Sequence, residues 1–219
     1  MKKIIIIGGG GHAGIAFDCI ISQKKYELLG YLDINKGNLH SQGIEYFGNL
    51  NQIPKLLKKI DNCNFIVGIG DNFLRYSIVK NLKNKKINCK WATVIHPSAS
   101  ISSKIFIGEG SLILSGSILS YNTIIKKHVC INTGASIDHD NIFHDFSSAG
   151  PGAVTGGNVK VNKLSYIAIN STIKHNVLIG SNVVVGASAF VNSNCKSNRV
   201  YYGIPAREVR KRKIGENYL

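Results

Sequence analysis

The chain has 219 residues, of which 44% are hydrophobic and 18% are charged, so the composition excludes a disordered protein and fits one large or two small globular domains. Its formal charge of +15 predicts that the protein attracts anions. Nucleic acid is not the expected partner, because no RNP signature, zinc finger or basic heptad accompanies the charge. Ligands that carry several phosphates are the alternative explanation.

Cysteine usage predicts a cytoplasmic protein with reduced thiols. The five cysteines are odd in number and never form a CxxC pair, so neither a disulfide framework nor a metal site is expected. They are Cys19, Cys63, Cys89, Cys130 and Cys195. The opening "MKKIIII" contains an apolar run of four isoleucines, which is too short for an export signal or a membrane span. No membrane partner is therefore expected.

Residues 1–95 alternate predicted strands with predicted helices. The strands are "KKIIIIG", "YELLGYLD", "CNFIVGIG" and "CKWATVI", and the helices between them are "HAGIAFDCIISQKK", "NQIPKLLKKI" and "NFLRYSIVKNLKNK". In the first helix, Ile15, Cys19 and Ile20 fall near one face. This order predicts an α/β domain, a small Rossmann-like parallel sheet with helices on both faces.

A glycine-rich loop follows the first strand. In "IIIIGGGGHAG", Gly9, Gly11 and Gly14 satisfy G-x-G-x-x-G, and Asp33 follows about twenty residues later at a strand end. Such a loop binds phosphate at a helix N-terminus, although four consecutive glycines can also form a simple tight turn. Residues 1–95 are long enough for only one mononucleotide-binding half of a Rossmann fold, whereas an NAD-dependent oxidoreductase needs two. A nucleotide is therefore a more plausible ligand of this loop than NAD.

After residue 95 a period of six residues replaces the helical pattern. Of the sixteen positions counted in sixes from Ile101 to Val191, fourteen are large and apolar; the exceptions are Ala149 and Thr155. A period of six kept over ninety residues predicts a β-solenoid, in which each short strand directs one side chain inward before the chain turns a corner. The second domain is expected to span residues 96–219.

Together with the N-terminal sheet, "IDHDNIF" within the repeats and the closing "YYGIPAREVRKR", this pattern resembles the hexapeptide-repeat sugar acetyltransferases of the PglD and NeuD type over nearly the whole chain. The resemblance implies a left-handed parallel β-helix and a homotrimer. It also implies that acetyl-coenzyme A binds in the groove between neighbouring β-helices. The acceptor would be a nucleotide-linked amino sugar.

The resemblance assigns the chemistry to one histidine. His139 lies two positions after the inward Ile137, at a corner that points out of the solenoid, and would act as the general base. Asp140 would orient the ring, and Asp138 is the alternative. The ladder weakens shortly afterwards, where the backbone amide of Gly156 or Gly157 could stabilise an oxyanion, with Gly157 preferred.

The resemblance also assigns binding residues by position. For the nucleotide-linked sugar they are Gly10, Gly11, His12, Asp33, Ile34 and Gly70. For acetyl-coenzyme A they are Ile169, Gly186 and Ala187, with Ser148 at the position where the family has a histidine nine residues after the base. His144 could replace that histidine. The basic tail, Arg207 and residues 210–213, would suit the phosphates of coenzyme A.

The resulting expectation is an acetyl-coenzyme A-dependent N-acetyltransferase acting on the 4-amino group of a nucleotide-linked 4-amino-4,6-dideoxyhexose, in surface polysaccharide (such as O-antigen) or glycan biosynthesis. Two alternatives remain open. One is an O-acetyltransferase acting on sialic acid or a related sugar, and the other is a non-catalytic, nucleotide-binding trimeric scaffold. The sequence does not distinguish UDP, dTDP and GDP.

Overall fold

The computed structural model describes residues 1–218; Leu219, the last residue of the predicted second domain, lies outside them. The elements of the N-terminal domain are β1 (Lys2–Ile7), α1 (Gly11–Gln23), β2 (Tyr26–Leu32), α2 (Asn38–Ser41), a 3-10 turn (Leu50–Gln52), α3 (Ile53–Lys59), β3 (Asn64–Val67), α4 (Asn72–Asn84) and β4 (Lys90–Trp91). The four strands are parallel, in the order β2-β1-β3-β4. The predicted Rossmann-like sheet is confirmed.

Both faces of this sheet are covered, as its β-branched central strand requires. Ile4 and Ile6 of β1 pack into one apolar cluster, while Ile5 and Ile7 pack into another on the opposite face. Helix α1 buries Ala13, Ala16, Cys19 and Ile20. Ile15, which the sequence analysis placed near the same face as Cys19 and Ile20, is 43% exposed.

The predicted closing strand, residues 89–95, is divided between the two domains. Lys90 and Trp91 form β4, which pairs with β3. Val94 and Ile95 instead pair with Leu112 and Ile113 in the solenoid. The solenoid sheet therefore begins two residues before the expected boundary, and the domains are joined without a linker.

The solenoid consists of two-residue strands. In chain order they are β5 (Val94–Ile95), β6 (Ser100–Ile101), β7 (Phe106–Ile107), β8 (Leu112–Ile113), β9 (Ile118–Leu119), β10 (Ile124–Ile125), β11 (Cys130–Ile131), β12 (Ser136–Ile137), β13 (Ile142–Phe143), β14 (Ser148–Ala149), β15 (Val154–Thr155), β16 (Lys160–Val161), β17 (Tyr166–Ile167), β18 (Thr172–Ile173), β19 (Leu178–Ile179), β20 (Val184–Val185) and β21 (Phe190–Val191). The longer β22 (Arg199–Gly203) and β23 (Ala206–Lys211) form an antiparallel pair at the end.

These strands form three parallel sheets that make the three faces of a left-handed β-helix. The first face contains β5, β8, β11, β14, β17 and β20, followed by the terminal pair; the second contains β6, β9, β12, β15, β18 and β21; the third contains β7, β10, β13, β16 and β19. Each strand pairs with the strand 18 residues further on, as Ile131 does with Ala149. One coil is therefore three hexapeptides long.

Two side chains per hexapeptide point inward, where the sequence analysis expected one. From Ile113 to Val191, the residues at every sixth position are at most 2% exposed. The residues two places earlier are also buried, for example Ser117, Ala135 and Asn141. The second row is mostly small because it lies at the narrow corners of the prism. Large aliphatic side chains fill the interior, and small or polar ones close its edges.

The N-terminal domain packs on the first face of the solenoid. Leu112, Leu114 and Cys130 join the apolar cluster formed by α1 and β1. The C-terminal end of the chain returns to the same junction, where the backbone N–H of Asn72 donates to the Tyr218 hydroxyl at 2.7 Å. The two domains therefore form one continuous structure with the second and third faces left uncovered.

Phe143→Ala tests the interior packing. Phe143 is fully buried in the largest apolar cluster, so we expect the substitution to lower the free energy of unfolding by about 3–5 kcal/mol. Ile21→Ala, at a half-exposed position of α1, is the matched control and should change it by less than about 1 kcal/mol. Urea denaturation followed by circular dichroism measures both. Equal destabilisation by the two variants would contradict the assignment of Phe143 to the core.

Candidate functional site

His139 lies at the corner between the second and third faces, where its side chain is 56% exposed. Its Nδ1 is 2.7 Å from Oδ2 of Asp140, and the other carboxylate oxygen of Asp140 accepts a hydrogen bond from Asn122 at 2.6 Å. Asp138 instead accepts the backbone N–H of His139 at 2.8 Å. Of the two aspartates considered from the sequence, Asp140 therefore contacts the ring, while Asp138 bonds the backbone.

The carboxylates around His139 change its protonation equilibrium. The hydrogen bond with Asp140 raises the pKa of His139, and the charge of Asp138 contributes in the same direction. The hydrogen bonds from Asn122 and His139 lower the pKa of Asp140, so this carboxylate stays ionised at neutral pH. With Nδ1 next to the carboxylate, Nε2 is the nitrogen left to exchange a proton with a ligand.

A buried asparagine holds this corner in place. Asn141 belongs to the inward row of small residues and is completely buried. Its Nδ2 lies within hydrogen-bond distance of the backbone carbonyls of Asp138, His139 and Gly156, at 2.8, 3.1 and 2.9 Å. The sequence analysis missed Asn141; the available signal was a polar amide where the row otherwise has small or aliphatic residues.

The His139 ring lies against Gly157 in the next coil. A Cβ atom at position 157 would be only 2.5 Å from both Cε1 and Nε2 of the ring. Any side chain at this position would displace the ring, so the corner requires glycine. The ring thus leans towards the following coils, where a cavity of about 380 Å³ is lined by His139, Gly157, His175 and Asn176.

The backbone amides near this cavity differ in availability. The N–H of Gly156 donates to the carbonyl of Ile173 at 2.8 Å, whereas within residues 1–218 the N–H of Gly157 has no hydrogen-bond acceptor. An amide that is fixed and free of an internal partner is the kind that can bind a developing oxyanion. Of the two glycines considered from the sequence, the geometry favours Gly157.

The glycine loop presents an open helix N-terminus. Gly10 and Gly11 are exposed at the start of α1, with no capping side chain and no acidic residue in the first turn. The unpaired amides and the helix dipole favour a negatively charged group at this point. Both oxygens of Asp33 accept backbone N–H bonds of 2.6 Å, from Gly9 and from Ile34, so this carboxylate also fixes the loop. Ile34 itself is exposed beside it.

His12 and Gly70 lie deeper, at the junction with the solenoid. Nε2 of His12 is 3.6 Å from the sulfur of Cys130. Burial, with a smaller effect of the Arg75 charge, lowers the pKa of His12 to about 4, so the imidazole is neutral at pH 7. The carbonyl of Gly70 accepts a 2.8 Å hydrogen bond from Arg75, which connects this part of the loop region to α4.

Ser148, which was predicted to contact acetyl-coenzyme A, is buried at the junction of the two domains. Its side chain is 1% exposed. The hydroxyl donates to Asn72 Oδ1 at 2.6 Å and accepts from Arg75 at 2.9 Å. The docked N-terminal domain covers Ser148, and the sequence alone did not indicate which solenoid face that domain would cover. His144, the suggested replacement, lies partly buried at a different corner from His139.

The residues predicted along the coenzyme A groove are in part accessible. Ile169 and Ala187 are exposed, and they lie at the same corner, between the first and second faces, in successive coils. Gly186 is covered by the ring of Tyr202, which leaves no space for a Cβ atom there. At this position the exposed surface is therefore the ring of Tyr202 and not Gly186. In the basic tail, Arg212 is buried, and its Nε donates to Asn182 Oδ1 at 3.1 Å, which removes it from the residues available to phosphates.

A single chain does not bring these groups of residues together. The glycine loop lies over the first face, and Ile169 and Ala187 lie at the corner between the first and second faces. His139 and Gly157 occupy the corner opposite the first face. The three groups are therefore on different sides of one triangular prism.

Cavity size alone does not identify the functional site. A larger cavity of about 750 Å³ lies between α4 and the corner joining the third and first faces, and residues such as Lys83, Trp91 and Phe146 line it. None of the site residues predicted above lines it. Within residues 1–218, no group of three His, Cys, Asp or Glu side chains could bind a metal, and no helix is long and apolar enough to cross a membrane.

Replacing the aspartates tests the electrostatics of the His139 corner. Asp140→Asn should lower the pKa of His139, because it removes the hydrogen bond that contributes most to raising it. Asp138→Asn should lower this pKa by a smaller amount, and Asp145→Asn, at another corner, should leave it unchanged. NMR titration of the His139 ring protons measures all three. A larger effect of Asp138→Asn would contradict the assignment of Asp140 as the ring partner.

Comparison with known proteins places the geometry in context. The PglD N-terminal domain family matches residues 3–82. UDP-N-acetylbacillosamine N-acetyltransferase from Bacillus subtilis (strain 168) is 30% identical over 116 residues, 52% of this chain and 52% of that protein. The match thus spans about half the length of that curated relative.

Two solved structures are similar over nearly the whole chain. PerB from Caulobacter crescentus, in complex with CoA and GDP-perosamine, has a TM-score of 0.88 and 26% identity, covering 96% of this chain and 98% of its own. The acetyltransferase domain of PglB from Neisseria gonorrhoeae FA1090 has a TM-score of 0.86 and 26% identity, covering 95% and 100%. These matches confirm the resemblance of the chain to hexapeptide-repeat sugar acetyltransferases of the PglD and NeuD type.

Proposed function

We propose that this protein transfers an acetyl group from acetyl-coenzyme A to the 4-amino group of a nucleotide-linked 4-amino-4,6-dideoxyhexose. The observation that carries the proposal is the exposed His139–Asp140 pair, whose free Nε2 borders a cavity at an uncovered solenoid corner. PerB was solved with CoA and GDP-perosamine, which supports this class of substrates. Synthesis of a surface polysaccharide such as O-antigen, in the cytoplasm, is the corresponding role.

The proposed chemistry needs a base and a fixed hydrogen-bond donor. Acetyl-coenzyme A supplies an activated acyl group with a thiolate leaving group. Nε2 of His139 accepts the proton that the sugar amine loses as it forms the amide bond, and Asp140 holds the ring in position and stabilises its charged form. Gly157 lines the cavity and its N–H has no acceptor within residues 1–218, so this N–H can donate to the acyl oxygen as that oxygen gains negative charge. The proton then passes to the departing thiolate.

The raised pKa of His139 suits this role. A base whose pKa lies near the operating pH is partly unprotonated and still strong enough to accept a proton. Because the base must be unprotonated, kcat/KM is expected to rise with pH through the pKa of His139, which Asp140 raises above the ordinary value. The exposed helix N-terminus at Gly10 and Gly11 supports binding of the nucleotide phosphates.

The functional assembly we propose is a homotrimer with its active sites between subunits. The glycine loop and His139 lie on different sides of one protomer, so a single sugar nucleotide cannot contact both in the same chain. Exposed apolar side chains on the uncovered faces, such as Ile118, Val154 and Leu178, offer a surface for neighbouring β-helices. A second copy could then bring its glycine loop to the His139 corner of the first.

Thiol release from acetyl-coenzyme A tests the activity directly. The acceptors are UDP-, dTDP- and GDP-linked 4-amino-4,6-dideoxyhexoses and free sialic acid, with product mass determined for each. We expect transfer to at least one nucleotide-linked amino sugar, and His139→Ala should reduce kcat by about 10²–10⁴-fold, as expected for loss of a general base. Asp145→Ala, at a corner distant from His139, is the control and should retain activity.

The outcomes of this experiment separate the alternatives. Acetylation of sialic acid with none of the amino sugars would favour an O-acetyltransferase. Nucleotide binding without any acetyl transfer would favour a scaffold. Full activity of His139→Ala would remove His139 from the mechanism.

Mixed oligomers test the shared active site. Gly11→Glu adds a carboxylate at an exposed loop position where a Cβ atom meets nothing within 4 Å, so it should repel phosphate without disturbing the fold. Co-expressed Gly11→Glu and His139→Ala chains should regain activity, because some sites combine an intact loop with an intact histidine. Each variant alone, and a mixture of the two assembled separately without subunit exchange, should stay inactive. No recovery on co-expression would place the whole site within one chain.

A further inference from the structure

We propose that His175 positions the acceptor sugar by a hydrogen bond to the hydroxyl next to its reacting amine. This inference deepens the proposed function and rests on it. His139, Gly157 and His175 occupy the same corner position in three successive coils, 18 residues apart. Strands of neighbouring coils are about 4.8 Å apart, so the backbones at 139 and 175 are separated by about 10 Å.

Because Gly157 has no side chain, the space between the side chains of His139 and His175 is open. The edge of the His139 ring that contains Nε2 lies over Gly157, on the side of the corner that continues towards His175. The cavity of about 380 Å³ has both histidines in its lining. A group that reaches Nε2 from this cavity has His139 on one side and His175 on the other.

The two imidazoles have different surroundings, and this indicates different roles. His139 has a carboxylate on Nδ1 and its backbone is bonded on both sides. The ring of His175 is exposed, and within residues 1–218 it has no hydrogen bond and no carboxylate partner. The ring of His139 is fixed by a carboxylate before any ligand binds, which suits proton transfer. The ring of His175 has no partner within the described residues, so it can bond a ligand without breaking an existing hydrogen bond.

The chemistry of the acceptor identifies the group that His175 would contact. In a 4-amino-4,6-dideoxyhexose the carbons beside C4 are C3, which carries a hydroxyl, and C5, which carries the methyl group and the ring oxygen. The 3-hydroxyl is therefore the only neighbour of the amine that can both donate and accept a hydrogen bond. An imidazole nitrogen can act as donor or acceptor to such a hydroxyl. The other polar side chains that line the cavity already have partners: Asp138 bonds the backbone of His139, and Asn158 bonds Asn176. With the amine at Nε2 of His139, His175 is therefore the side chain left to bond the neighbouring hydroxyl.

Steady-state kinetics of His175→Ala test this assignment. We expect KM for the acceptor to rise about 3- to 10-fold, the loss expected for one hydrogen bond. The KM for acetyl-coenzyme A and the position of the acidic limb of kcat/KM should stay unchanged, because His139 and Asp140 are intact. His175→Asn retains a hydrogen-bonding group and should restore most of the affinity. His96→Ala is the control, because it removes an imidazole that lies outside the cavity and bonds Ser98 instead.

A 3-deoxy acceptor gives the second arm of the experiment. The KM of the wild-type protein for the 3-deoxy acceptor should equal the KM of His175→Ala for the complete acceptor. The 3-deoxy acceptor should have the same KM with both proteins. Wild-type activity with an unchanged acceptor KM in His175→Ala would overturn the assignment of His175 alone. A shift of the acidic limb, or an effect on acetyl-coenzyme A instead of the acceptor, would also overturn it. Absence of transfer by the wild-type protein to every amino sugar would contradict the proposed function itself, and the role of His175 with it.

Discussion

The inward packing of one large side chain in every six residues determines where every other group of the solenoid lies. Because the stacked aliphatic rows fix each coil at three hexapeptides, residues 18 apart become neighbours at a corner. Several polar contacts have this separation, including Asn122 with Asp140, Lys127 with Glu109, and Asn158 with Asn176. The arrangement of His139, Gly157 and His175 follows from the same register. The apolar interior thus positions the polar site at the surface.

The sequence predicted the parts of the fold that repeat and missed the parts that depend on docking. A solenoid interior needs an apolar residue at every sixth position, so its period was visible without any structure. The corner position of His139 followed from the phase of that period, and its role came from the family resemblance. His175 was missed because it becomes relevant only when the 18-residue coil is considered together with the single hexapeptide. The burial of Ser148 was not visible in the sequence, because it depends on contacts with residues more than 70 positions away.

Those distant contacts centre on Arg75, a buried cation whose interactions are unusual. Its guanidinium donates to the carbonyls of Ile69, Gly70 and His128 and to the side chains of Asn72 and Ser148. Among the described residues no carboxylate is within ion-pair distance of it. A buried charge of this kind is tolerated only when its donors are satisfied, and here all of them are. Arg75 therefore holds residues 69–72 to the solenoid, and its hydrogen bond with Ser148 helps to explain why that serine is buried.

Exposure at the His139 corner limits what the isolated chain can achieve electrostatically. The contact between Asp140 and His139 lies in water, where attraction between exposed charges is weak and is screened by salt. Covering the corner with a neighbouring subunit and a bound substrate would exclude water and strengthen this attraction, since the same charges interact more strongly in a medium of lower dielectric constant. In the proposed trimer, a neighbouring subunit would therefore have a second effect besides bringing its glycine loop to the His139 corner. It would also make the aspartate a stronger support for the protonated ring at the stage when the ring carries the proton of the amine.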